Sequence, residues 1–450
     1  MKSILRLKTD RLANYLVAVV LVLVPFHAFL TVWGSTLLGH YTTLRLWDDV
    51  LLGVLVIVVS GWLVRDKSLR NHLFGSLLFR LIALYVVLTF GLGLVAFTKH
   101  EVTAKALGYA LLVNLRFLVW FLAVWAVATR SNWLRAHWKQ FVFWPLLLVV
   151  IFAVLQCLVL PHDFLTHFGY DKTLTIAPTT TINQNTNTIR AQSFLRGPNP
   201  LGAYLVVGFG LLATMVAFSK RAWRTWALGG LASLALLLSF SRSAWIGAFV
   251  AVVVALWLRL HTKRARYITL TVTGLILIIF AGSLAIFHKN SGVQDAVFHV
   301  NAGSTANVTS NAGHASAFKS GLRDITHEPF GRGPGTAGPA SWYNTEHSVR
   351  NSENYFLEIG QEVGWAGLIV FITINVALGF ELWSRRGETL VLGVFASLIG
   401  LSLLNQFAYG WADDTLAYLW WGLAGIALAP KSYILKSRPS SDETKTKTRS

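Results

Sequence analysis

Apolar runs of about 20 residues recur along this chain of 450 residues. Hydrophobic residues make up 54% of the sequence and charged residues only 13%, which is about half of the charged share of a typical soluble domain. Such runs match the thickness of the hydrocarbon core of a bilayer, where each backbone polar group must be satisfied within the protein. The chain is therefore predicted to be an all-α integral membrane protein.

Twelve of the apolar runs are predicted to span the membrane. They cover residues 14–33, 46–64, 77–97, 106–128, 141–160, 199–218, 225–241, 244–260, 267–287, 354–376, 388–405 and 409–428. The predicted organisation is one membrane domain over residues 1–435 with two large external loops, 161–198 and 288–352. Residues 436–450 lack an apolar pattern and are predicted to form a disordered cytoplasmic tail.

The charge distribution predicts the orientation of the chain. The formal net charge is +19, which would also suit a nucleic-acid-binding protein. However, Lys and Arg are about twice as frequent in the segments on the side of the N-terminus as in the opposite set. This is the positive-inside asymmetry, so both termini are predicted to be cytoplasmic and the two long loops external. The basic excess then indicates contact with anionic membrane lipids and no nucleic-acid partner.

The external loop at 288–352 is a polar island between two apolar runs, and we expect it to form a water-facing cap that carries chemistry. Ala315, Phe318, Leu322 and Ile325 recur within it at helical spacing. This pattern predicts a short amphipathic helix that lies on the membrane surface or covers a cavity. A helix that only packs the loop onto the bundle would have the same pattern.

Two arginines precede the sixth predicted span. Arg190 and Arg196 lie in a segment that ends with Pro198 and Pro200, which predict non-helical backbone. Irregular backbone at membrane depth is tolerated where it lines a cavity or is buried in protein. Both side chains are therefore candidates for an external cavity, although each would also fit the membrane interface by binding lipid phosphate.

Arg242 lies in the short turn between the seventh and eighth predicted spans. A tight turn keeps its side chain close to the bundle. Guanidinium groups bind phosphate oxygens in a fork and stay charged at neutral pH. Arg190 and Arg242 together are thus predicted to hold a diphosphate; a lone interfacial arginine is the alternative.

The entrance to the tenth span carries a candidate base. Asn351 or Ser352 is predicted to cap the helix, with Glu353 in its first turn, where a carboxylate is favoured by the helix dipole. Alternatively, Glu353 faces the external cavity and accepts a proton from a sugar hydroxyl. Glu358 and Glu362 lie deeper, and we expect them to pair with Arg or Lys inside the bundle.

A glycine-rich stretch, 331–335, precedes this entrance. It lacks the Lys-Ser/Thr pair and the strand–helix frame of a phosphate-binding loop, so it predicts only a tight irregular turn with free backbone N–H groups. Metal-ligand motifs such as HExxH or paired CxxC do not occur in the sequence, which predicts metal-independent chemistry without a cofactor. The candidate substrate-binding residues are Arg196, Asn199, Asn354, Arg332, Arg350 and His347.

Four motifs, in this order, resemble those of the O-antigen ligase and O-antigen polymerase (Wzy-type) family of bacterial polytopic membrane glycosyltransferases. They are Arg190-x-x-Ser-Phe with Pro198-Asn199, Ser241-Arg242, Pro329-Phe-Gly-Arg-Gly-Pro-Gly335, and Glu353-Asn354 followed by Gly364-x-x-Gly367. The resemblance implies a GT-C-like fold of about 12 transmembrane helices, with the large external loop between helices 9 and 10.

The resemblance also implies an activity at the outer face of the bacterial plasma (inner) membrane. Enzymes of this family transfer a glycan from a polyprenyl-diphosphate-linked donor to a glycan, lipid or protein acceptor. It implies that Arg190 and Arg242 bind the diphosphate and that the first residue of the last motif activates the acceptor. Family ligases carry His there, and Glu353 in this chain favours a polymerase or another glycan-transferring relative.

A lipid-linked glycan flippase or secondary transporter is the alternative from a different class. A transporter is expected to have charged or broken helices near the membrane midplane and short external loops. The charges of this chain gather on the predicted external face, next to a long polar island. This distribution favours an enzyme.

Overall fold

In the computed structural model, the protein is described over residues 2–182, 185–216, 222–260, 262–288, 290, 294 and 310–430. The predicted tail at 436–450 lies outside these residues, as does much of the first part of the polar island. The described part is mostly helical and contains one two-stranded sheet. The all-α fold class is therefore confirmed.

The helices follow one another along the chain, and the longest described connections are residues 159–197 and 328–354. Those of the first part are α1 Lys2–Leu23, α2 His27–Leu38, α3 Tyr41–Leu44, α4 Trp47–Arg65, α5 Lys67–Phe74, α6 Leu77–Thr98, α7 Ala104–Arg130 and α8 Trp133–Leu158. An antiparallel hairpin of β1 Thr180–Ile182 and β2 Asn185–Arg190 follows α8. The remaining helices are α9 Pro198–Val216, α10 Ala222–Leu238, α11 Arg242–Arg259, α12 Lys263–Phe287, α13 Ser310–His327, α14 Tyr355–Ser384, α15 Thr389–Leu404 and α16 Asp414–Leu428.

Nine helical segments among the described residues are long and apolar enough to cross a bilayer. They are Lys8–Leu38, Tyr41–Arg65, Leu77–Thr98, Ala104–Arg130, Trp133–Leu158, Pro198–Val216, Arg242–Arg259, Lys263–Phe287 and Tyr355–Ser384. The other three predicted spans, 225–241, 388–405 and 409–428, coincide with the shorter helices α10, α15 and α16. The count of twelve spans thus stays a prediction.

Helix α16 lies in the centre of the bundle. All of its residues are buried, and its aromatic side chains fill the space next to α7 and α15. The indole N–H of Trp120 donates to the Tyr418 carbonyl oxygen at 2.7 Å, and that of Trp420 donates to the Ser397 hydroxyl at 3.0 Å. These two indole donors are satisfied, as is usual for buried Trp side chains. The indole N–H of Trp421 in the same helix is buried and has no hydrogen-bond partner among the described residues.

Helices α9, α11 and α15 approach one another through glycines. A Cβ added to Gly400 would lie 2.3 Å from the Gly247 carbonyl oxygen, and one added to Gly210 would lie 2.8 Å from the Gly393 carbonyl oxygen. Small residues let membrane helices pack backbone against backbone. The starts of α9 and α11 and the end of α15 are thereby held close together, and these three ends surround the cavity described below.

Helix α14 is broken at Gly364, which has φ 69° and ψ −172°. The break leaves backbone groups without helical partners, and the Gly-rich loop, residues 329–335, supplies them. Trp365 N–H donates to the Pro329 carbonyl oxygen at 2.9 Å, while Arg332 and Gly333 N–H donate to carbonyl oxygens of α14 at 3.0 and 2.8 Å. The loop therefore acts as a structural wedge in α14.

The prediction that this loop has free N–H groups is wrong for most of its donors. Besides Arg332 and Gly333, the N–H of Gly335 is also engaged, because it donates to the Glu362 carboxylate at 2.7 Å. These three N–H groups point into the protein and satisfy the broken helix. A phosphate would have to displace these bonds to use the same groups.

Gly364→Ala is expected to destabilise the protein by about 2 kcal/mol or more, because a left-handed backbone disfavours a side chain. Its Cβ would also lie 2.4 Å from the Phe330 carbonyl carbon. The measurement is the thermal unfolding midpoint in detergent. Gly379→Ala in the same helix is the matched control, since its Cβ would find its nearest neighbour, in Leu398, at an ordinary 3.7 Å. Equal midpoints for the two variants would contradict this account of the break.

Candidate functional site

Four residues singled out by the sequence line one cavity of about 820 Å³. They are Arg190, Asn199, Arg242 and Glu353. They come from the end of β2, the start of α9, the start of α11 and the residue before the N-cap of α14. Helix α13 contributes a further wall through His314, Ala315, Phe318 and Lys319. Motifs that are far apart in sequence thus meet around one polar space.

Arg190 is held in place by backbone and amide oxygens. Its Nε donates to the Ser239 carbonyl oxygen at 2.9 Å, and its Nη2 donates to Asn199 Oδ1 at 2.9 Å. Burial, and then the nearby charge of Arg242, lower the pKa of Arg190 to about 10. No carboxylate of the described chain forms an ion pair with it. Arg190 therefore presents an oriented positive charge that the protein does not neutralise.

Helix α11 begins at the cavity with Arg242. Ser241 is its N-cap, but the serine side chain makes no capping bond. Its hydroxyl is buried without a hydrogen-bond partner in the described structure, and the residue lines the cavity. A helix N-terminus, a guanidinium and an unsatisfied hydroxyl together favour an anion at this end of the cavity.

Glu353 lies just outside α14 in a left-handed conformation with φ 52°. Its N–H donates to the Tyr409 hydroxyl at 2.8 Å and to Asn351 Oδ1 at 3.2 Å. Its carboxylate contacts the Nδ1 of His314 on α13. That hydrogen bond lowers the pKa of the Glu353 carboxyl below its usual range. Glu353 is thus an ionised group at neutral pH on the wall of the cavity.

The expected cap of α14 is wrong, and so is the placement of Glu353 in its first turn. Asn354 is the N-cap, and its Oδ1 accepts the N–H groups of Phe356 and Leu357 at 2.9 and 3.0 Å. Its Nδ2 donates to Gln406. Asn354 is buried with both polar groups engaged, so the geometry gives it a structural place and does not bring it into the cavity.

Arg196 is drawn away from the cavity by acidic residues. Its Nη2 lies 2.7 Å from Asp414 Oδ2, and Arg45 and Arg116 contact the same carboxylate. Asp49 in turn contacts Arg116 at 3.5 Å. The arginine therefore belongs to a paired charge cluster, in contrast to Arg190.

Arg332, Arg350 and His347 also lie outside the cavity lining. Arg332 forms an ion pair with Glu328; Arg350 lies 2.8 Å from Glu328 and 3.0 Å from Asp324. The Nε2 of His347 lies 2.6 Å from a Glu101 oxygen. The structure uses these predicted substrate-binding side chains to tie the island together and to the end of α6, and does not bring them to Glu353.

The expectation that Glu358 and Glu362 pair with Arg or Lys is wrong within the described chain. Glu362 accepts hydrogen bonds from the Gly335 N–H at 2.7 Å and from Asn114 Nδ2 at 2.8 Å. Glu358 is buried beside Gly338, and one of its oxygens finds no hydrogen-bond donor among the described residues. At Glu362, neutral donors replace the expected cation because the Gly-rich loop fills the space next to this side chain.

The sequence predicted that the amphipathic helix lies on the membrane surface or covers a cavity, but not that its polar residues line the cavity with Glu353. The helix is confirmed over Ser310–His327, and its prediction rested on apolar positions alone. His314 and Lys319 lie next to Ala315 and Phe318 on the helix surface and face the same cavity. Polar residues beside an apolar face were the signal that could have identified them. Gln406 lines the cavity, and Tyr409 accepts a hydrogen bond from the Glu353 N–H. These two residues belong to no sequence motif, so no pattern could have identified them.

An apolar groove of about 710 Å³ runs between α14 and α15. Its lining includes Phe356, Leu368, Ile372, Val376, Phe380 and Leu398. Gln406 lines both this groove and the cavity. The cavity that contains the arginines and the apolar groove between the two helices are therefore adjacent, with Gln406 between them.

Residues 227–372 match the family model described as O-antigen ligase. The chain contains an O-antigen ligase domain. This domain supplies Arg242, His314 and Glu353, whereas Arg190 and Asn199 precede it and are brought to the cavity by β2 and α9. This match supports a ligase- or polymerase-like role in cell-surface polysaccharide synthesis. Among curated proteins, none matches the chain.

Replacement of Arg190 and of Arg196 by methionine is expected to change the stability of the protein by different amounts. Arg196→Met removes one of the charge partners of Asp414 and should cost about 1–2 kcal/mol, because that pair is partly exposed and Asp414 keeps other partners. Arg190→Met removes a partly buried charge that forms no ion pair among the described residues, and it should cost less or even stabilise the protein. Thermal midpoints in detergent measure both effects. Equal losses would contradict the assignment of one arginine to structure and the other to ligand binding.

Proposed function

We propose that the protein transfers or polymerises a glycan from a polyprenyl-diphosphate-linked donor onto an acceptor hydroxyl at the outer face of the bacterial plasma membrane. The observation that carries this proposal is the shared cavity of Arg190, Arg242 and Glu353. Guanidinium groups on one wall suit a diphosphate, and Arg190 forms no ion pair among the described residues. A carboxylate on another wall suits an acceptor hydroxyl. The O-antigen ligase domain supports the same class of reaction.

The diphosphate is proposed to lie between Arg190 and the start of α11. Attack on the anomeric carbon moves negative charge onto the leaving diphosphate. Arg190 is fixed by three hydrogen bonds to protein oxygens, so it can stabilise this charge without reorganising. The Ser241 hydroxyl and the N-terminus of α11 are further donors at this position.

The acceptor hydroxyl is proposed to lie on the side of Glu353. A proton must leave the hydroxyl as its oxygen attacks, and the Glu353 carboxylate is ionised and can receive it or stabilise the group that does. The Tyr409 hydroxyl fixes the backbone of Glu353. The identity of the acceptor, whether a glycan, a lipid-linked sugar or a protein, stays open.

The apolar groove between α14 and α15 is proposed to hold the polyprenyl chain. Its continuity with the cavity at Gln406 would let the lipid stay in the bilayer while the diphosphate reaches Arg190. Polyprenyl chains carry no polar groups, which agrees with the apolar lining of the groove. No polynucleotide partner is needed in this scheme.

The proposed topology has twelve spans, both termini in the cytoplasm and the cavity on the external side of the inner membrane. The asymmetry of Lys and Arg supports this orientation. The proposed reaction is metal-independent, since guanidinium groups take the place that cations occupy in many phosphate sites. Reversal of the asymmetry in a reporter-fusion map of the loops would contradict the orientation.

A lipid-linked glycan flippase is the second candidate, and the break of α14 at Gly364 is the observation in its favour, because transporters use broken helices to bind substrate. Here the Gly-rich loop fills the break and satisfies its backbone groups. Transfer by purified protein in detergent, where there is no membrane to cross, would exclude a protein that only transports.

Arg190→Ala, Arg242→Ala and Glu353→Gln are each expected to lower glycan transfer by about 100-fold or more, because each removes charge stabilisation or proton acceptance. The assay uses purified protein, a polyprenyl-diphosphate oligosaccharide, and three acceptors: the oligosaccharide itself, a lipid-linked core glycan and a peptide. Arg323→Ala, an exposed arginine of α13 outside the cavity, is the control and should keep its activity. Full activity of Glu353→Gln would remove the carboxylate from the mechanism.

A further inference from the structure

We propose that His314 is the general base of the transfer reaction and that Glu353 is the residue that positions its ring. This inference rests on the glycan transfer proposed above and names the atom that takes the acceptor proton. It assigns a catalytic role to α13, a helix outside the motifs that first pointed to the site.

The first observation is the contact between the two side chains. The Nδ1 of His314 lies against the Oε2 of Glu353, and both residues line the cavity. A carboxylate in contact with the Nδ1 of a histidine favours a proton on that nitrogen and leaves Nε2 with a lone pair. This is the chemical arrangement in which an imidazole works as a base.

The second observation is the exposure of the ring. The Nδ1 atom is buried, while 40% of the His314 side chain is exposed. The accessible part of the imidazole is therefore the edge away from Glu353, which carries Nε2. An acceptor hydroxyl that enters the cavity can reach this edge.

The third observation concerns the carboxylate as a base. The hydrogen bond from His314 lowers the pKa of Glu353, and a carboxylate with a lowered pKa is a weaker proton acceptor at neutral pH. The Nε2 of His314 is then the other proton acceptor at this end of the cavity. The charge of Glu353 is better used to stabilise the imidazolium that forms.

Close packing fixes the position of helix α13. A Cβ added to Gly321 would lie 2.7 Å from the Ser352 side chain, and one added to Gly360 would lie 2.8 Å from Ile325. Helix α13 is thus packed closely against the segment that carries Glu353 and against α14. This packing places His314 beside the carboxylate.

The proposed transfer needs only the acceptor and the lipid-linked donor as reactants. The acceptor O–H gives its proton to His314 Nε2 as the oxygen forms a bond to the anomeric carbon. The bond from that carbon to the phosphate oxygen breaks, and the polyprenyl diphosphate leaves with the electron pair, held by Arg190 and Arg242. The imidazolium releases its proton to water after the product departs.

The test compares His314→Gln and Glu353→Gln with the wild-type protein in the purified transfer assay. His314→Gln keeps a polar side chain next to Glu353 but cannot accept a proton. We expect it to lower kcat by about 100-fold or more with unchanged binding of the donor lipid. Glu353→Gln should lower kcat by a similar factor, also with unchanged binding of the donor lipid. Glu353→Asp keeps the carboxylate that positions the ring and should recover part of this activity.

His327→Gln is the matched control, because this histidine of α13 is exposed, bonds its own helix at the Arg323 carbonyl oxygen and lies outside the cavity lining. It should behave like the wild type, and all variants should show similar thermal midpoints. A wild-type protein that transfers no glycan would overturn the proposed function itself. Transfer by the wild type together with full activity of His314→Gln, or with loss of donor binding in that variant, would overturn only the role of His314.

Discussion

The break of α14 at Gly364 is the constraint on which the described site depends. A membrane helix that loses its regular hydrogen bonds must find other partners within the protein, and here the Gly-rich loop provides them. Because the Gly-rich loop is anchored at the break, it fixes the path of the chain between α13 and Glu353. It thereby also fixes which side chains of the polar island can reach the cavity.

The helical architecture and the residues that meet in the cavity were accessible from the sequence. Apolar length identified the membrane helices, and the order of the motifs identified Arg190, Arg242 and Glu353. The cap of α14 was not accessible, because three neighbouring side chains in 351–354 are all good caps and only the backbone path selects Asn354. The contact of His314 with Glu353 required the packing of two elements, which no local pattern contains.

The arginines differ in the partners that they bind, and the local sequence does not show this difference. Arg196 lies six residues after Arg190 and in the same segment, yet it pairs with Asp414, 218 residues further along the chain. Arg350 likewise finds two acidic partners, whereas Arg190 finds carbonyl and amide oxygens. Whether an arginine is neutralised depends on distant acidic residues, so spacing alone could not separate the arginine that lines the cavity from those that form ion pairs.

Gln406 joins the polar cavity to the apolar groove, and this junction has a kinetic consequence for the proposed reaction. After transfer, the spent carrier still has its tail in the groove and its diphosphate at the arginines. A fresh donor needs the same path, so the carrier must slide sideways into the bilayer before the next cycle begins. We therefore expect the enzyme to be inhibited by its own lipid product, with turnover governed by carrier exchange whenever that exchange is slower than glycosyl transfer.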